Sequence, residues 1–101
     1  MKTFVHVTFD LRGARPRSYT EVRRGLAKLR LLRDVRASSG KNVRLPHNTF
    51  VGKYRPTSGV SGFADRLKAD IKSVFKQCGV HGRAFIFATG DGGWAWRKAV
   101  R

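Results

Sequence analysis

The sequence predicts an α+β fold, a ferredoxin-like sandwich in which two helices cover one face of a small antiparallel sheet. Residues 3–11 alternate apolar and polar side chains, as a half-buried strand does. Two later segments repeat their apolar residues at helical spacing, and two more are rich in β-branched and aromatic residues. At 101 residues the chain fits one domain, residues 1–101, because two self-sufficient cores need more chain than this.

The first predicted strand, residues 3–11, is followed by a basic helix. On one face of the strand lie Val5, Val7, Phe9 and Leu11, and on the other lie Phe4, His6, Thr8 and Asp10. Ser18, with Glu21 three positions later, has the spacing of a capping box and predicts a helix from about Tyr19 to Leu32. The helix is apolar on one side and basic on the other.

The middle of the chain allows two element orders. Residues 34–42 are polar and basic and predict a loop, a mobile basic finger. Residues 43–55 predict a second strand, although Pro46 requires an edge, a bulge or a strand start. A single strand here gives the order β-α-β-α-β with an extra C-terminal piece. A bend at Pro46 into a hairpin gives β-α-β-β-α-β instead.

A second helix and a third strand complete the prediction. Ser61 is the expected cap of the helix, whose apolar stripe runs from Phe63 to Cys78, and Gly79 is expected to end it. The third strand spans 80–89 and precedes a glycine-rich turn at 90–93. The tail after this turn is either a short strand or a short helix.

Charge is the strongest indication of function. The chain has 22 Lys or Arg and 6 Asp or Glu, a formal net charge of +16 at pH 7. A small body with this charge repels itself and attracts polyanions, and nucleic-acid phosphates are the commonest of these in cells. Because hydrophobic residues make up 41% of the chain, a disordered basic tail is excluded and we expect a folded domain.

Composition and motifs exclude several other classes of protein. No stretch reaches the ~20 apolar residues that cross a bilayer, and the N-terminal segment lacks the continuous apolar run of a signal peptide. We therefore expect a cytoplasmic protein with no membrane partner. The single cysteine, Cys78, excludes an internal disulfide and a cysteine-based zinc site. The glycine-rich phosphate loops and the nucleophile and zinc motifs of common enzyme families are missing from the sequence.

The candidate binding residues are basic side chains of the first half of the chain and two tryptophans. The basic candidates are Arg12, Arg15, Arg17, Arg23, Arg24, Lys28, Arg30, Arg33, Arg36, Lys41 and Arg44. A basic run is often only a solvated face, but a surface built for solubility usually mixes both signs. Trp94 and Trp96 adjoin two further cations and predict either a base-stacking platform or a terminal strand that closes the core.

Asp10 is the acidic residue with a candidate catalytic role. At the end of the first predicted strand and among many cations, its carboxylate is placed to hold a divalent metal against a phosphodiester. The alternative is structural, an ion pair with Arg12 or Arg15 or the capping of a turn. Two copies of Asp10 across the axis of a symmetric dimer would form a better metal site than one. The three histidines are scattered and have no metal-ligand spacing.

Three segments carry a resemblance to a known family: the strand end Phe9-Asp10-Leu11, the helix start Ser18-Tyr19, and LPHNTFVG at residues 45–52. They resemble the small CRISPR-associated adaptation protein, the Cas-two-like family, and its VapD-type relatives. The resemblance implies a ferredoxin-like fold, a homodimer and nucleic-acid binding, with metal-dependent nuclease activity in some members and the strand-end acid at Asp10. The chain departs from the family at Phe9, where tyrosine is frequent, in its basic loop 34–42 and in its higher charge.

These observations lead to three functional hypotheses. The first is a small dimeric module that binds RNA or DNA phosphates through its Arg/Lys-rich helix and loop and needs no cofactor. The second is a nuclease that uses Asp10 with Mg²⁺ or Mn²⁺. The third is a phage-type inhibitor or interaction protein that docks its basic face on a ribonucleoprotein. Whether the protein is an enzyme stays open at this point.

Overall fold

The protein forms two layers, a four-stranded antiparallel sheet and a pair of helices, in a computed structural model that describes residues 2–91 and 93–101. The elements are β1 (Thr3–Leu11), α1 (Pro16–Lys28), β2 (Asp34–Arg36), β3 (Asn42–Arg44), β4 (Thr49–Tyr54), α2 (Val60–Gln77), β5 (Gly82–Gly90) and β6 (Gly93–Val100). The strand order in the sheet is β4-β1-β5-β6, and β2 and β3 form a separate two-stranded hairpin. The predicted α+β class is confirmed.

Burial of one face of each central strand holds the two layers together. Along β1, the buried residues Val5, Val7 and Phe9 alternate with exposed or half-buried ones, and β5 shows the same alternation around Ile86. These side chains share one core with the apolar residues of both helices, so α1 and α2 lie on the same face of the sheet. The molecule is accordingly thin, with extents of 38 × 33 × 17 Å. The predicted strand 3–11 and its two faces are confirmed.

The connections follow the first of the two predicted element orders. Both neighbours of β1, the strands β4 and β5, run antiparallel to it and are therefore parallel to each other, and α2 connects them across β1. The C-terminal piece is a strand, since β6 pairs with β5. The alternative order with a hairpin within residues 43–55 is wrong. Those residues do divide into β3 and β4, but β3 pairs with β2.

The helix boundaries differ from the predicted ones at three of four ends. Helix α1 begins at Pro16 after Arg15 and has no side-chain cap, so the capping box at Ser18 is wrong. Pro16 sets a helical φ and has no N–H to satisfy, which makes it a good first residue. The helix ends at Lys28 because Arg30 adopts a left-handed φ of 67°. Helix α2 begins one residue before Ser61, which is not its cap, and it ends at Gln77, with Gly79 in a left-handed conformation after the C-cap, as predicted.

The segment 34–42, predicted to be a loop, contributes to a hairpin. The register opposes Asp34 to Arg44, and these two side chains form an ion pair across β2 and β3. Leu32, just before β2, exchanges two backbone hydrogen bonds with Val51 of β4, at 2.8 and 2.9 Å. The hairpin is therefore attached to the edge of the main sheet. We name residues 32–44 the basic hairpin.

Two contacts fix α1 in the helical layer. At Gly25 a Cβ atom would come within 2.6 Å of the Val74 side chain of α2, so a side chain here would push the helices apart. At the end of α1 the Tyr54 hydroxyl donates a hydrogen bond of 2.7 Å to the Leu29 carbonyl. Burial raises the pKa of Tyr54 to about 12, which keeps this donor protonated. Neither described helix is both long and apolar enough to cross a membrane.

Candidate nucleic-acid interface

The face of the sheet opposite the helices is open to solvent and carries side chains in regular rows. Antiparallel pairing aligns outward residues across the strands, and successive rows lie two residues apart. The rows are Lys53–Phe4–Thr89–Trp94, Val51–His6–Phe87–Trp96, Thr49–Thr8–Phe85–Lys98 and Asp10–Arg83–Val100. We name this set of residues the open sheet face.

Five aromatic side chains occupy the open sheet face. The exposed fractions are 66% for Trp94, 52% for Trp96, 49% for Phe4 and 44% for Phe85. Two diagonal pairs stack, Phe85 with Trp96 at 5.9 Å and Phe87 with Trp94 at 5.8 Å between ring centroids. A contiguous exposed apolar patch of this kind marks an interaction surface.

The tryptophans do not close the core, which answers a question that the sequence left open. Along β6, the buried residues are the two alanines, Ala95 and Ala99, and they face the helices. The tryptophans lie on the other side of the strand. They are exposed there, so the predicted role in closing the core is wrong, and the role in base stacking stays a prediction.

Cations border the aromatic residues. The Lys53 ammonium lies 5.9 Å from the centroid of the Phe4 ring, and Lys98 and Arg83 occupy the opposite end of the face. The carboxylate on this face, Asp10, has its Oδ2 atom 3.7 Å from Nε of Arg83. Among the described residues, the open sheet face therefore combines aromatic surface with net positive charge.

Two grooves lie at the two ends of the open sheet face. One, of about 550 Å³, includes Asp10, His47, Phe85, Trp96 and Lys98 in its lining. The other, also about 550 Å³, lies where the basic hairpin meets the sheet. The hairpin contributes Leu32, Val35 and Arg36 to this groove, and the sheet contributes Phe4, Phe87 and Lys53 among others. Each groove thus brings cationic and aromatic side chains together.

The predicted binding residues of the first helix lie on the other side of the molecule. Arg24 is two residues from both Val22 and Leu26, and at about 100° per residue it points away from those buried side chains. Arg17 and Lys28 follow the same exposed stripe. We name Arg17, Arg24 and Lys28 the α1 outer face. The structure does not bring them together with Trp94 and Trp96.

The remaining predicted cations are divided among three places. Arg12 and Arg15 lie in the segment between β1 and α1, and Arg12 lines a small pocket with Asp10 and Arg83. Arg36, Lys41 and Arg44 belong to the basic hairpin, where Arg36 reaches the open sheet face and Arg44 pairs with Asp34. Arg33 also belongs to the basic hairpin, while Arg23 lies on α1 and Arg30 follows the end of this helix.

Few of these cations are neutralised within the protein. Four acids form ion pairs, namely Glu21 with Arg17, Asp34 with Arg44, Asp10 with Arg83 and Asp65 with Arg97. In the described part of the chain, 18 of the 22 Lys and Arg side chains (22 less these four) have no carboxylate within 4.0 Å. Burial, and after it the charge of Arg33, lowers the pKa of Arg23. Most of the positive charge of the described surface is therefore not compensated within the protein.

Sequence reasoning missed three residues of the open sheet face as binding candidates, namely Phe4, Lys53 and Arg83. The signal for the first was present, since an exposed phenylalanine on the otherwise polar face of an alternating strand is unusual. Arg83 lies in the less basic half of the chain and Lys53 lies in β4, so neither belongs to the basic clusters from which the candidates were chosen.

Asp10 has a partner other than the predicted ones. It pairs with Arg83 on the neighbouring strand, directly opposite in the register, and not with Arg12 or Arg15. The described residues contain no cluster of three or more His, Cys, Asp or Glu side chains that would hold a metal ion. Within one chain the Arg83 guanidinium beside Asp10 opposes the binding of a divalent cation there, and the predicted Mg²⁺ or Mn²⁺ stays a prediction.

Comparison of the chain with protein-family models, with curated proteins and with solved structures gives no match. The resemblance to Cas-two-like and VapD-type proteins remains a hypothesis that rests on the three sequence segments alone.

Proposed function

We propose that the protein binds single-stranded nucleic acid, RNA or DNA, across the open sheet face. Bases would stack on its aromatic side chains, and the cations around them would hold the phosphates. The observation that supports this best is the coincidence of five aromatic side chains with Lys53, Arg83 and Lys98 on one solvent-exposed face. A charged surface alone would fit any polyanion, whereas aromatic planes among cations fit one with exposed bases.

The spacing of the rows suits unstacked bases. Neighbouring rows are two residues apart, which is roughly 7 Å along a strand. Trp94, Trp96 and Phe85 lie in three successive rows, so consecutive bases splayed from one strand would each meet a different ring. In a duplex the bases are stacked inside and would not reach these rings, so we expect a preference for single strands on this face.

The phosphate contacts would supply affinity without much sequence specificity. With a formal net charge of +16 and most cations unpaired, binding should release counterions and weaken steeply as salt rises. The sequence-based proposal placed these contacts on the helix and the loop. We now assign the single-strand contacts to the cations of the open sheet face and to Arg36 of the basic hairpin.

Other expectations from the sequence stay with this proposal. The ferredoxin-like assignment agrees with the two layers, although the hairpin of the sheet, β5–β6, lies at the end of the chain. A homodimer and a cytoplasmic location would suit a nucleic-acid-binding module. Docking on a ribonucleoprotein is the competing proposal, in which the same face would contact a protein partner.

Intrinsic fluorescence tests the proposal directly. Trp94 and Trp96 are the two tryptophans of the chain, and both lie on the open sheet face, so bases stacked there should quench the emission. We expect saturable quenching by a thymidine oligonucleotide, weaker quenching by a matched duplex, and a salt-dependent midpoint. Absence of quenching by both DNA and RNA strands in dilute buffer would overturn the proposal. So would a stable dimer in which a second copy covers the tryptophans.

A further inference from the structure

The α1 outer face is a second cationic surface, separate from the open sheet face. We propose that it binds the phosphate backbone of a nucleic-acid duplex, so that one molecule bridges a duplex and a single strand. The single-strand half of this inference rests on the proposed function. The duplex half rests on the helix itself.

Like charges are adjacent on this helix without compensation. Arg24 and Lys28 are four residues apart and exposed, an arrangement that destabilises a helix when both residues have the same sign. The acid of α1, Glu21, pairs with Arg17 at 3.4 Å. A phosphate backbone along the helix would convert the repulsion between Arg24 and Lys28 into attraction to a shared anion.

A second pair of cations extends the surface beyond the stripe. Arg23 lies on the flank of α1, where its guanidinium donates a hydrogen bond to the Thr20 hydroxyl at 3.5 Å. Burial, and after it repulsion by the charge of Arg33, lowers the pKa of Arg23. An anion next to these two guanidinium groups would relieve that repulsion. The cationic surface therefore continues around the end of the helix.

The chemistry of the α1 outer face selects a duplex and not a single strand. The large apolar side chains that are exposed in the described chain lie on the sheet, in the basic hairpin or next to it, and α1 contributes none. Without an aromatic plane, the helix offers an unstacked base only guanidinium groups, whereas the open sheet face offers it aromatic rings. A duplex presents its phosphates outward and its bases inward, so cations alone are sufficient to bind it.

The two faces are arranged so that both partners can be held together. The helices cover one side of the sheet and the aromatic side chains occupy the other, in a molecule 17 Å across its shortest dimension. A strand on one side and a duplex on the other would therefore not collide. Their phosphates would also be separated by more than a Debye length at ~0.1 M salt, which screens the repulsion between them.

Resonance energy transfer between two labelled nucleic acids measures the bridging. The probes are a donor-labelled thymidine oligonucleotide and an acceptor-labelled duplex of unrelated sequence. The protein is added at a lower molar concentration than either probe. The test variant is Arg24→Gln with Lys28→Gln. The matched control is Lys72→Gln with Lys76→Gln, an exposed pair at the same spacing on α2. We expect the wild type and the control to transfer energy and the test variant to lose most of the signal.

Separate titrations distinguish the two proposals. The test variant should keep the tryptophan quenching by the oligonucleotide, while its duplex affinity falls on the order of tenfold and the salt slope of duplex binding falls by about 2. Quenching without energy transfer in the wild type would overturn the bridging inference and leave the proposed function intact. Energy transfer that persists in the test variant would also overturn it. If the wild type shows neither quenching nor energy transfer, both the proposed function and the bridging inference are overturned.

Discussion

The open sheet face and the α1 outer face are both cationic, yet they differ in what accompanies the charge. On the sheet, Lys53 and Lys98 border aromatic rings that are about half exposed. On the helix, Arg24 and Lys28 stand among polar and small residues. Under the proposed function, the charge of both faces attracts a polyanion, and only the aromatic surface of the sheet allows bases to take part in binding.

Backbone geometry explains why the aromatic platform lies on the sheet. Alternate residues of a strand project to the same side, so side chains of neighbouring strands lie next to each other on a nearly flat surface. The diagonal stacks of Phe85 with Trp96 and Phe87 with Trp94 use this arrangement. Side chains on an exposed helix diverge around a cylinder, which suits separate contacts to phosphates but not a continuous platform.

The largest expected effect is the loss of single-strand binding when both tryptophans are replaced. Removal of one aromatic ring costs about 1–3 kcal/mol for each stacked base. The double variant Trp94→Ala, Trp96→Ala should therefore bind an oligonucleotide on the order of a hundredfold more weakly. Its duplex affinity should change little. Fluorescence anisotropy of a labelled oligonucleotide and of a labelled duplex measures the two affinities, because the variant has no tryptophan whose quenching could be followed.

Val43→Ala is the control for this experiment, because Val43 is 47% exposed in the basic hairpin and lies outside the aromatic rows. It should bind like the wild type. Equal weakening by the control, or equal weakening of single-strand and duplex binding by the tryptophan variant, would contradict the difference between the two faces.

The next prediction compares the two faces of the β-strand β5. Ile86 is fully buried against the helices and its neighbour Phe85 is 44% exposed on the open sheet face. Ile86→Ala should lower the free energy of unfolding by about 2–5 kcal/mol, because it leaves a cavity in the core. Phe85→Ala should cost about 1 kcal/mol or less, mostly from the lost stack with Trp96. Urea unfolding measures both values.

Binding should show the opposite order. Phe85→Ala should weaken oligonucleotide binding, and Ile86→Ala should not do so once the folded fraction is taken into account. If Phe85→Ala unfolds the protein as readily as Ile86→Ala, the ring is a core residue and the platform is wrongly assigned.

The elements with strict periodicity could be predicted from the sequence. β1 has the predicted bounds because nine residues alternate without interruption and one side of the strand is buried. The end of α2 at Gly79 also follows from local chemistry, since its φ of 66° is left-handed. The hairpin of β2 and β3 could not be predicted, because each strand has three residues. Its pairing depends on contacts between distant residues, such as that of Leu32 with Val51.

The candidate site was harder to predict than the fold. The charge count predicted binding cations in the first half of the chain, but such a count does not tell which layer of the fold presents them. Arg24 and Trp96 were placed in one predicted site and lie on opposite sides of the molecule. The answer depends on which alternate residues of each strand face the helices, and this is set by the order in which the strands pair. Only the assembled sheet shows that Phe4, from the N-terminal strand, and Trp96 share a face.

The smallest expected effect concerns the carboxylate of the open sheet face. Asp10→Asn removes a negative charge from the proposed path of the phosphates and releases Arg83, whose Nε lies 3.7 Å from the carboxylate. Both groups are exposed and screened, so we expect single-strand affinity to rise about two- to fivefold at low salt. Asp70→Asn on α2 makes the same change in net charge away from this face and should leave single-strand affinity unchanged. Equal gains in the two variants would mean that net charge, and not the position of Asp10, controls binding. The same pair of variants tests the nuclease that the Cas-two-like resemblance implies, since cleavage of a labelled strand with Mg²⁺ or Mn²⁺ should then disappear only in Asp10→Asn.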